Sequence, residues 1–318
     1  MGSLSNPAPL RVAQVSFFLD PQRRAPDELL QAWPTLVDVA RAAGSAGAEV
    51  TVVQAHLQGA QLEEGGVRYE FAAPGAALLS TLHGSAPQVV HVHGLGFHAE
   101  VEALAAQLPG VPILLQDHAD HPPRPWRWLS WRRGLRHAHG FAFCARAQAE
   151  AFRRARLLRS AQRVYEIPES TSRFRPGDQV QARAGSGLAG DPCVLWVGHL
   201  DANKDPLTVL EGFAAFTQQW PHAQLWCYFG TDPLRASVER AIRADARLGA
   251  RVHLCGRTAH EGIERAMQAA DLFVLGSHRE GSGYSLIEAL ACGLPAAVTD
   301  IPSFRALLGT AGTLWRVG

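Results

Sequence analysis

The chain has 318 residues, of which 47% are hydrophobic and 19% charged, and its formal net charge is +1. At roughly 150 residues per domain this length implies about two domains, each with a sizeable core. The balanced charge excludes a global attraction to nucleic acid or to an anionic membrane, and no apolar run approaches the roughly 20 residues that cross a bilayer.

The opening "MGSLSNPAPLRVAQVSFFLD" lacks the basic-then-apolar order of a signal peptide. Gly2 with a later serine loosely matches a myristoylation pattern, but the sixth residue is Asn6 rather than Ser or Thr. From there, short apolar runs alternate with helical patterns. The predicted strands are "LRVAQVSFF", "AEVTVVQAH", "QVVHVHG", "VPILLQDH", "GFAFCA" and "RVYEIPE", then "CVLWVGHL", "AQLWCYFG", "RVHLCGR", "DLFVLGS" and "PAAVTD". Between them lie helix patterns such as "AWPTLVDVARAAG", "DPLTVLEGFAAFTQQW" and "EGIERAMQAAD". Continuous rather than alternating apolar strands indicate parallel sheets covered on both faces. Strand-helix-strand repetition implies doubly wound α/β layers.

One stretch breaks the pattern. "STSRFRPGDQVQARAGSGLAGDP", Ser170 to Pro192, has no strong apolar period and reads as a linker plus a loose entry into a second domain. The expected organisation is an amino-terminal domain over 1–170, a linker over 171–190 and a carboxyl-terminal domain over 191–318. Two Rossmann-like domains facing each other across a cleft would bind ligands beyond the carboxyl ends of their strands. After "TAGTLWRVG" more helices would be expected, so the second domain reads as shortened. The five cysteines, Cys144, Cys193, Cys227, Cys255 and Cys292, are odd in number and widely spaced, with no C-x-x-C pair. They fit buried, reduced thiols in a cytoplasmic protein better than a disulfide scaffold or a zinc site.

Several stretches carry chemistry. His91 and His93 alternate with valines, so they share one face of a strand, either as structural residues or, with Gly94 following, as cleft lining. "QDHADH" holds Asp117, His118, Asp120 and His121, all metal-ligand types, but too close in sequence for one compact site without a turn. "RPWRWLSWRRGLRHAHG" interleaves Trp126, Trp128 and Trp131 with five arginines. It reads either as a helix whose tryptophans pack inward while arginines snorkel, or as a peripheral membrane contact over Trp126–Arg136. Charge balance elsewhere speaks against nucleic acid.

In "WVGHLDANKDPLTVLEGF", Gly198 ends a strand and Lys204 precedes a helix, where a lysine can neutralise a phosphate or simply face solvent. In "EGSGYSLIE", Glu280 and Glu288 flank a glycine-rich turn into a helix whose inner face is read as Leu286, Ile287, Leu290 and Ala291. Such a helix start offers unpaired N–H groups and a positive dipole end, which suits a diphosphate. The plain alternatives are a capping box between Ser285 and Glu288 and a solvated loop acid at Glu280.

"EGSGYSLIEALACGLPAAVTD" resembles the E-x7-E signature of retaining, nucleotide-sugar-dependent glycosyltransferases of the GT-B fold, and "LWVGHLDANKDPLTVLEGF" resembles their "VGRL…K…L…AF" segment. The likeness is specific from about Cys193 to Leu308 and looser before. The resemblance implies that Glu288 holds the donor ribose, that Glu280 contacts the donor sugar and that Lys204 binds the diphosphate. It also implies phosphate contacts from amides after Gly283, at Tyr284, Ser285 and Leu286. Gly198 and His199 would lie at the donor, Gly256 and Arg257 would hold the base, and His118 would lie near the transferred sugar. No metal or other cofactor is implied. The acceptor, a glycan, lipid or small molecule, is not indicated.

The chain departs from the family pattern in several places. His199 stands where arginine is usual, "FLDPQRRAPDEL" replaces a glycine-rich loop, Glu169 and Ser170 replace Asn-Gly, and Arg305 stands where an acid is expected. The reading is a cytoplasmic hexosyltransferase using UDP- or GDP-sugar, with the inner membrane face as a second location. A nucleotide-sugar-binding protein with little or no transfer activity is the alternative. An epimerase of the same architecture would lack the paired glutamates.

Overall fold

A computed structural model describes residues 8–119 and 121–318. The amino-terminal myristoylation pattern and Asp120 lie outside the described residues. The chain divides into two compact units, one ending at Thr171 and the other running from Ser172 to Gly318.

The first unit contains β1 (Arg11–Ser16), α1 (Pro26–Ala32), α2 (Pro34–Ser45), β2 (Glu49–Ala55), β3 (Ala60–Glu64), β4 (Val67–Ala72), α3 (Ala76–Gly84) and β5 (Val89–His93). It continues with α4 (His98–Gln107), β6 (Ile113–Gln116), α5 (Trp128–Leu135), β7 (Gly140–Phe143), α6 (Arg146–Arg154) and β8 (Arg163–Glu166). Its sheet runs β3-β4-β2-β1-β5-β6-β7-β8 and is parallel except for the β3–β4 pair. The inner strands β1, β2, β6 and β7 are buried on both faces, as their continuous apolar runs imply, while the edge strands β3 and β8 are largely exposed. In β2, Val50 and Val52 join one core cluster while Val53 and Ala55 join another. The β3–β4 hairpin is not among the predicted strands. Its turn is Gly65–Gly66, both with positive φ, as a two-residue hairpin turn of this hand requires.

The second unit contains α7 (Gln179–Ser186), β9 (Cys193–Gly198), α8 (Pro206–Phe216), β10 (Gln224–Phe229), α9 (Arg235–Ala244) and β11 (Val252–Gly256). It ends with α10 (His260–Ala269), β12 (Leu272–Leu275), α11 (Tyr284–Ala291), β13 (Ala296–Thr299), α12 (Pro302–Leu308) and β14 (Thr313–Trp315). The sheet order is β11-β10-β9-β12-β13-β14, all parallel. Counted from β9, that is the Rossmann order 3-2-1-4-5-6, with its switch point between β9 and β12.

From Ser172 onward, the stretch read as a linker is folded into this second unit. Asp178 caps α7 by accepting the Gln181 N–H at 2.9 Å, and Gly187 ends the helix at φ 72°. Gln179 donates to the Ala270 carbonyl at 3.0 Å, and Arg183 pairs with Asp271 at 2.6 Å. Only Ala182 of α7 is buried, so polar ties rather than an apolar stripe hold it, and no apolar period announced it.

Four of the five thiols are buried, Cys255 is half-buried, and all are free. Burial pushes Cys193 and Cys292 up to about 12, which keeps them protonated and unreactive. Among the described residues no helix is long and apolar enough to cross a membrane.

Candidate active site

Two loops leave the carboxyl ends of β9 and β12 on either side of the switch point. A Cβ at Gly198 would lie 3.2 Å from the Trp196 ring and 3.5 Å from Lys204 Cγ, so the lysine stem passes directly over this backbone. Asp201 Oδ1 accepts the Lys204 N–H at 2.9 Å. Asp205, in left-handed backbone at φ 41°, caps α8 through the Thr208 N–H and meets His278 Nε2 at 3.0 Å. Burial pushes the Asp205 carboxyl up, but its bonds with Thr208 and His278 outweigh this and hold it below its usual range. The His278 N–H donates to the Asn203 carbonyl at 2.8 Å, and Asn203 Nδ2 donates to the Arg279 carbonyl at 3.0 Å. A Cβ on Gly276 would strike Val209 at 2.9 Å and the Asp205 carbonyl at 3.1 Å. The loops are thus stitched together, and their tips bring Lys204 Nζ onto Glu280 Oε1, with the two side chains only 15% and 13% exposed.

Helix α11 starts beside this pair. Gly283 is its cap residue at φ 84°, and a Cβ there would lie 2.5 Å from Phe304 Cε1. Ser285 lies inside the first turn, buried, and no side chain caps the helix. The capping-box reading therefore fails. Glu288 instead bonds His260 Nε2 at 2.7 Å, and the His260 ring packs on Phe174 at 4.5 Å. The inner face is Ser285, Leu286 and Ala289, whereas Ile287, Leu290 and Ala291 are only half-buried. The expected phosphate cradle also narrows, because the Leu286 N–H already donates to the Gly283 carbonyl at 3.0 Å. Ser303 Oγ donates to the Glu280 carbonyl at 3.1 Å, which fixes the loop from the α12 side.

His199 is exposed, and its Nδ1 accepts the Thr231 N–H at 3.2 Å, which requires the tautomer carrying hydrogen on Nε2. Gly256, at φ 71°, ends β11, followed by exposed Arg257. Three residues beyond Arg257 comes His260, which ties this end of β11 to Glu288. Arg305 pairs with Asp300 at 2.6 Å on α12. Sequence reasoning missed His260, Asp205 and His278. Of these, Asp205 directly follows Lys204 and His278 stands two residues before Glu280, whereas His260 is remote from both motifs.

His118 lies in the first unit, at the end of β6. Its Nδ1 meets Glu169 Oε2 at 2.8 Å and its Nε2 meets His93 Nδ1 at 2.9 Å, so both ring nitrogens are engaged. In the neutral imidazole, Nδ1–H donating to the carboxylate leaves Nε2 to accept from His93 Nδ1. Among the described residues no group of three or more His, Cys, Asp or Glu is arranged to hold a metal, and Asp120 of the "QDHADH" cluster lies outside them. His91 and His93 do share one face, with ring centroids 4.6 Å apart, and the Nε2 of each is shut off from water without a partner. The pair is structural in character.

Burial, aided by neighbouring imidazoles, pushes His91 down to about 4 and His93 well below its usual value. Unfolded, each takes up a proton near 6.5; folded, His91 does so only near 4. The unfolded state therefore binds more protons between these values. Stability of the first unit is full above about pH 6.5 and falls as pH drops toward 4, by about 3 kcal/mol for His91 alone. Urea midpoints taken across that window should show this decline, and His91→Gln should flatten it.

Residues 191–318 match the family model described as glycosyl transferases group 1. That match lies within the second unit. It is 27% identical over 238 residues to the GDP-mannose:cellobiosyl-diphosphopolyprenol alpha-mannosyltransferase of Xanthomonas oryzae pv. oryzae (strain PXO99A), covering 70% of this chain and 59% of that protein. It is 28% identical over 255 residues to the 2-deoxystreptamine N-acetyl-D-glucosaminyltransferase of Streptomyces fradiae, covering 70% of this chain and 57% of that one. The chain thus spans less than two thirds of the length of either relative. Among solved structures it shares its fold with the sucrose-phosphate synthase of Thermosynechococcus elongatus, with a TM-score of 0.67, 19% identity, and 97% of this chain and 86% of that one covered. HepE from Anabaena, in complex with UDP-glucose, gives a TM-score of 0.66 at 17% identity, with the same shares covered. The α/β fold with two parallel-sheet domains is that of the GT-B glycosyltransferases. The Lys204–Glu280 pair and the opening of α11 both fall within the matched residues.

Proposed function

We propose that the chain is a retaining glycosyltransferase moving a hexose-type sugar from a UDP- or GDP-linked donor to a glycan, lipid or small-molecule acceptor, with no metal taking part. The observation that carries this reading is the Lys204–Glu280 pair set at the front of α11, one turn ahead of Glu288, at the switch point of a Rossmann-ordered sheet. Lys204 turns from Glu280 to the donor diphosphate, joined by amides at Tyr284 and Ser285. Glu280, released, accepts hydrogen bonds from sugar hydroxyls. Glu288 is oriented through Oε1 by His260 and uses Oε2 for the ribose. Gly198 leaves room for the lysine stem, while Gly256 and Arg257 face the base. Both kinds of donor occur among the similar proteins: GDP-mannose appears in the name of one, and UDP-glucose is bound in HepE. Five free thiols suit a reducing, cytoplasmic setting.

A second reading is a nucleotide-sugar-binding protein that transfers little or nothing. It is favoured by His118, whose ring nitrogens are both engaged within the first unit, and by His199, whose Nδ1 serves the Thr231 backbone. Calorimetric titration with UDP and GDP, followed by donor turnover over an acceptor pool, separates the two. Tight nucleotide binding with turnover supports the transferase, and binding without turnover supports the second reading. Glu288→Ala is expected to weaken nucleotide binding by about 1–3 kcal/mol, the worth of hydrogen bonds to a buried ligand. Unchanged affinity in the folded variant would remove Glu288 from the donor site.

A further inference from the structure

The Trp- and Arg-rich stretch of the first unit divides sharply by depth. Trp131, Gly134 and Leu135 of α5 are buried, and Trp128 is half-buried with its Nε1 donating to the Pro123 carbonyl at 2.8 Å. A Cβ on Gly134 would fall 1.8 Å from the His98 carbonyl oxygen, so α5 lies hard against the start of α4. That contact fixes which way the helix faces. Trp126, in a single 3₁₀ turn before α5, is then 71% exposed, and Leu129, three residues on, is 79% exposed. Two large apolar side chains at this spacing lie on one side of the turn and helix.

Their neighbours in sequence are basic, and the acid beside them is Glu102 of α4, next to Arg133 and Arg136. From Arg124 to Arg136 there are five arginines and no acid, although the chain as a whole carries only +1. Arg132 is committed to the carbonyls of Ala155 and Arg156, and Arg133 pairs with Glu102 at 2.7 Å. Arg124, Arg127 and Arg136 are exposed and form no ion pair among the described residues. The Arg124 guanidinium lies 5.2 Å from the Trp126 ring centroid.

We propose that this face docks on an anionic lipid surface, with Trp126 and Leu129 entering the headgroup region and Arg124, Arg127 and Arg136 meeting lipid phosphates. An exposed tryptophan suits the membrane interface, and a rim of arginines suits its negative potential. Nucleic acid fits less well. Leu129 has no ring to stack on a base, and one face of Trp126 is already covered by Arg124. The docking does not depend on sugar transfer.

Co-sedimentation of the full chain with vesicles of phosphatidylglycerol and phosphatidylcholine, compared with phosphatidylcholine alone, tests the proposal. Binding to the anionic vesicles alone, weakening as salt rises, is expected. Arg124→Gln, Arg127→Gln and Arg136→Gln together should weaken it on the order of a hundredfold, at about fivefold for each charge removed. Trp126→Ala with Leu129→Ala should weaken it by about tenfold or more. Thermal melts of these surface variants should match the parent. Equal binding to neutral vesicles, absence of vesicle binding, or parent-like binding by both variants overturns the proposal. So does a single-stranded oligonucleotide held more tightly than the vesicles and lost in the arginine variant.

Discussion

Replacing Glu280 by Gln is expected to lower sugar transfer by roughly 10²–10³-fold while leaving UDP or GDP bound as tightly as before, or more tightly. In the ligand-free protein the Glu280 carboxylate and the Lys204 ammonium neutralise each other in a mostly buried corner. A diphosphate must win the lysine from the carboxylate, so the glutamate opposes the first stage of binding. The amide removes that competition and a nearby negative charge. It also removes the acceptor that the sugar hydroxyls need, so transfer falls. Calorimetry and turnover on the same variant report the two effects separately. A variant that loses nucleotide affinity yet keeps its turnover would show that Glu280 neither competes for the lysine nor serves the sugar. Lys204→Ala should do the opposite, weakening nucleotide binding by about 1.5–3 kcal/mol through loss of a charged hydrogen bond.

Gly283→Ala is expected to destabilise the second unit by roughly 2–4 kcal/mol. About 1 kcal/mol comes from placing a side chain at φ 84°, and about 1–3 kcal/mol from driving a methyl group into Phe304. Phe304 is fully buried, so it has little freedom to withdraw. Gly256→Ala is the natural control. Its φ of 71° carries the same backbone cost, but nothing lies within 4 Å of the added carbon, so about 1 kcal/mol is expected. Urea unfolding of both variants checks the difference. A Gly283→Ala protein no less stable than Gly256→Ala would mean that Phe304 does not define the start of α11.

Much of this was legible in the residues. Parallel strands buried on both faces leave continuous apolar runs, and every run read as a strand became one, from β1 to β13. What escaped was held by other means. The β3–β4 hairpin depends on a Gly65–Gly66 turn and alternating burial, and α7 depends on capping and ion pairs. In the candidate site, Lys204, Glu280, Gly283 and Glu288 stood out because one loop and one helix start carry them. The contacts around them did not, because His260 meets Glu288 and His278 meets Asp205 only in the folded chain. The capping-box reading erred for a local reason. It assumed that Ser285 stands outside the helix, whereas a left-handed glycine begins the helix earlier and turns that serine inward.

The outermost strand of the first sheet has a consequence for the protein in bulk. β3 is five residues long and ends in Glu63 and Glu64, both exposed, with Glu64 held by Arg41 at 2.6 Å. A strand from another molecule approaching this border to extend the sheet would meet carboxylates where it needs backbone partners. A short, charged border of this kind is poorly suited to edge-to-edge pairing.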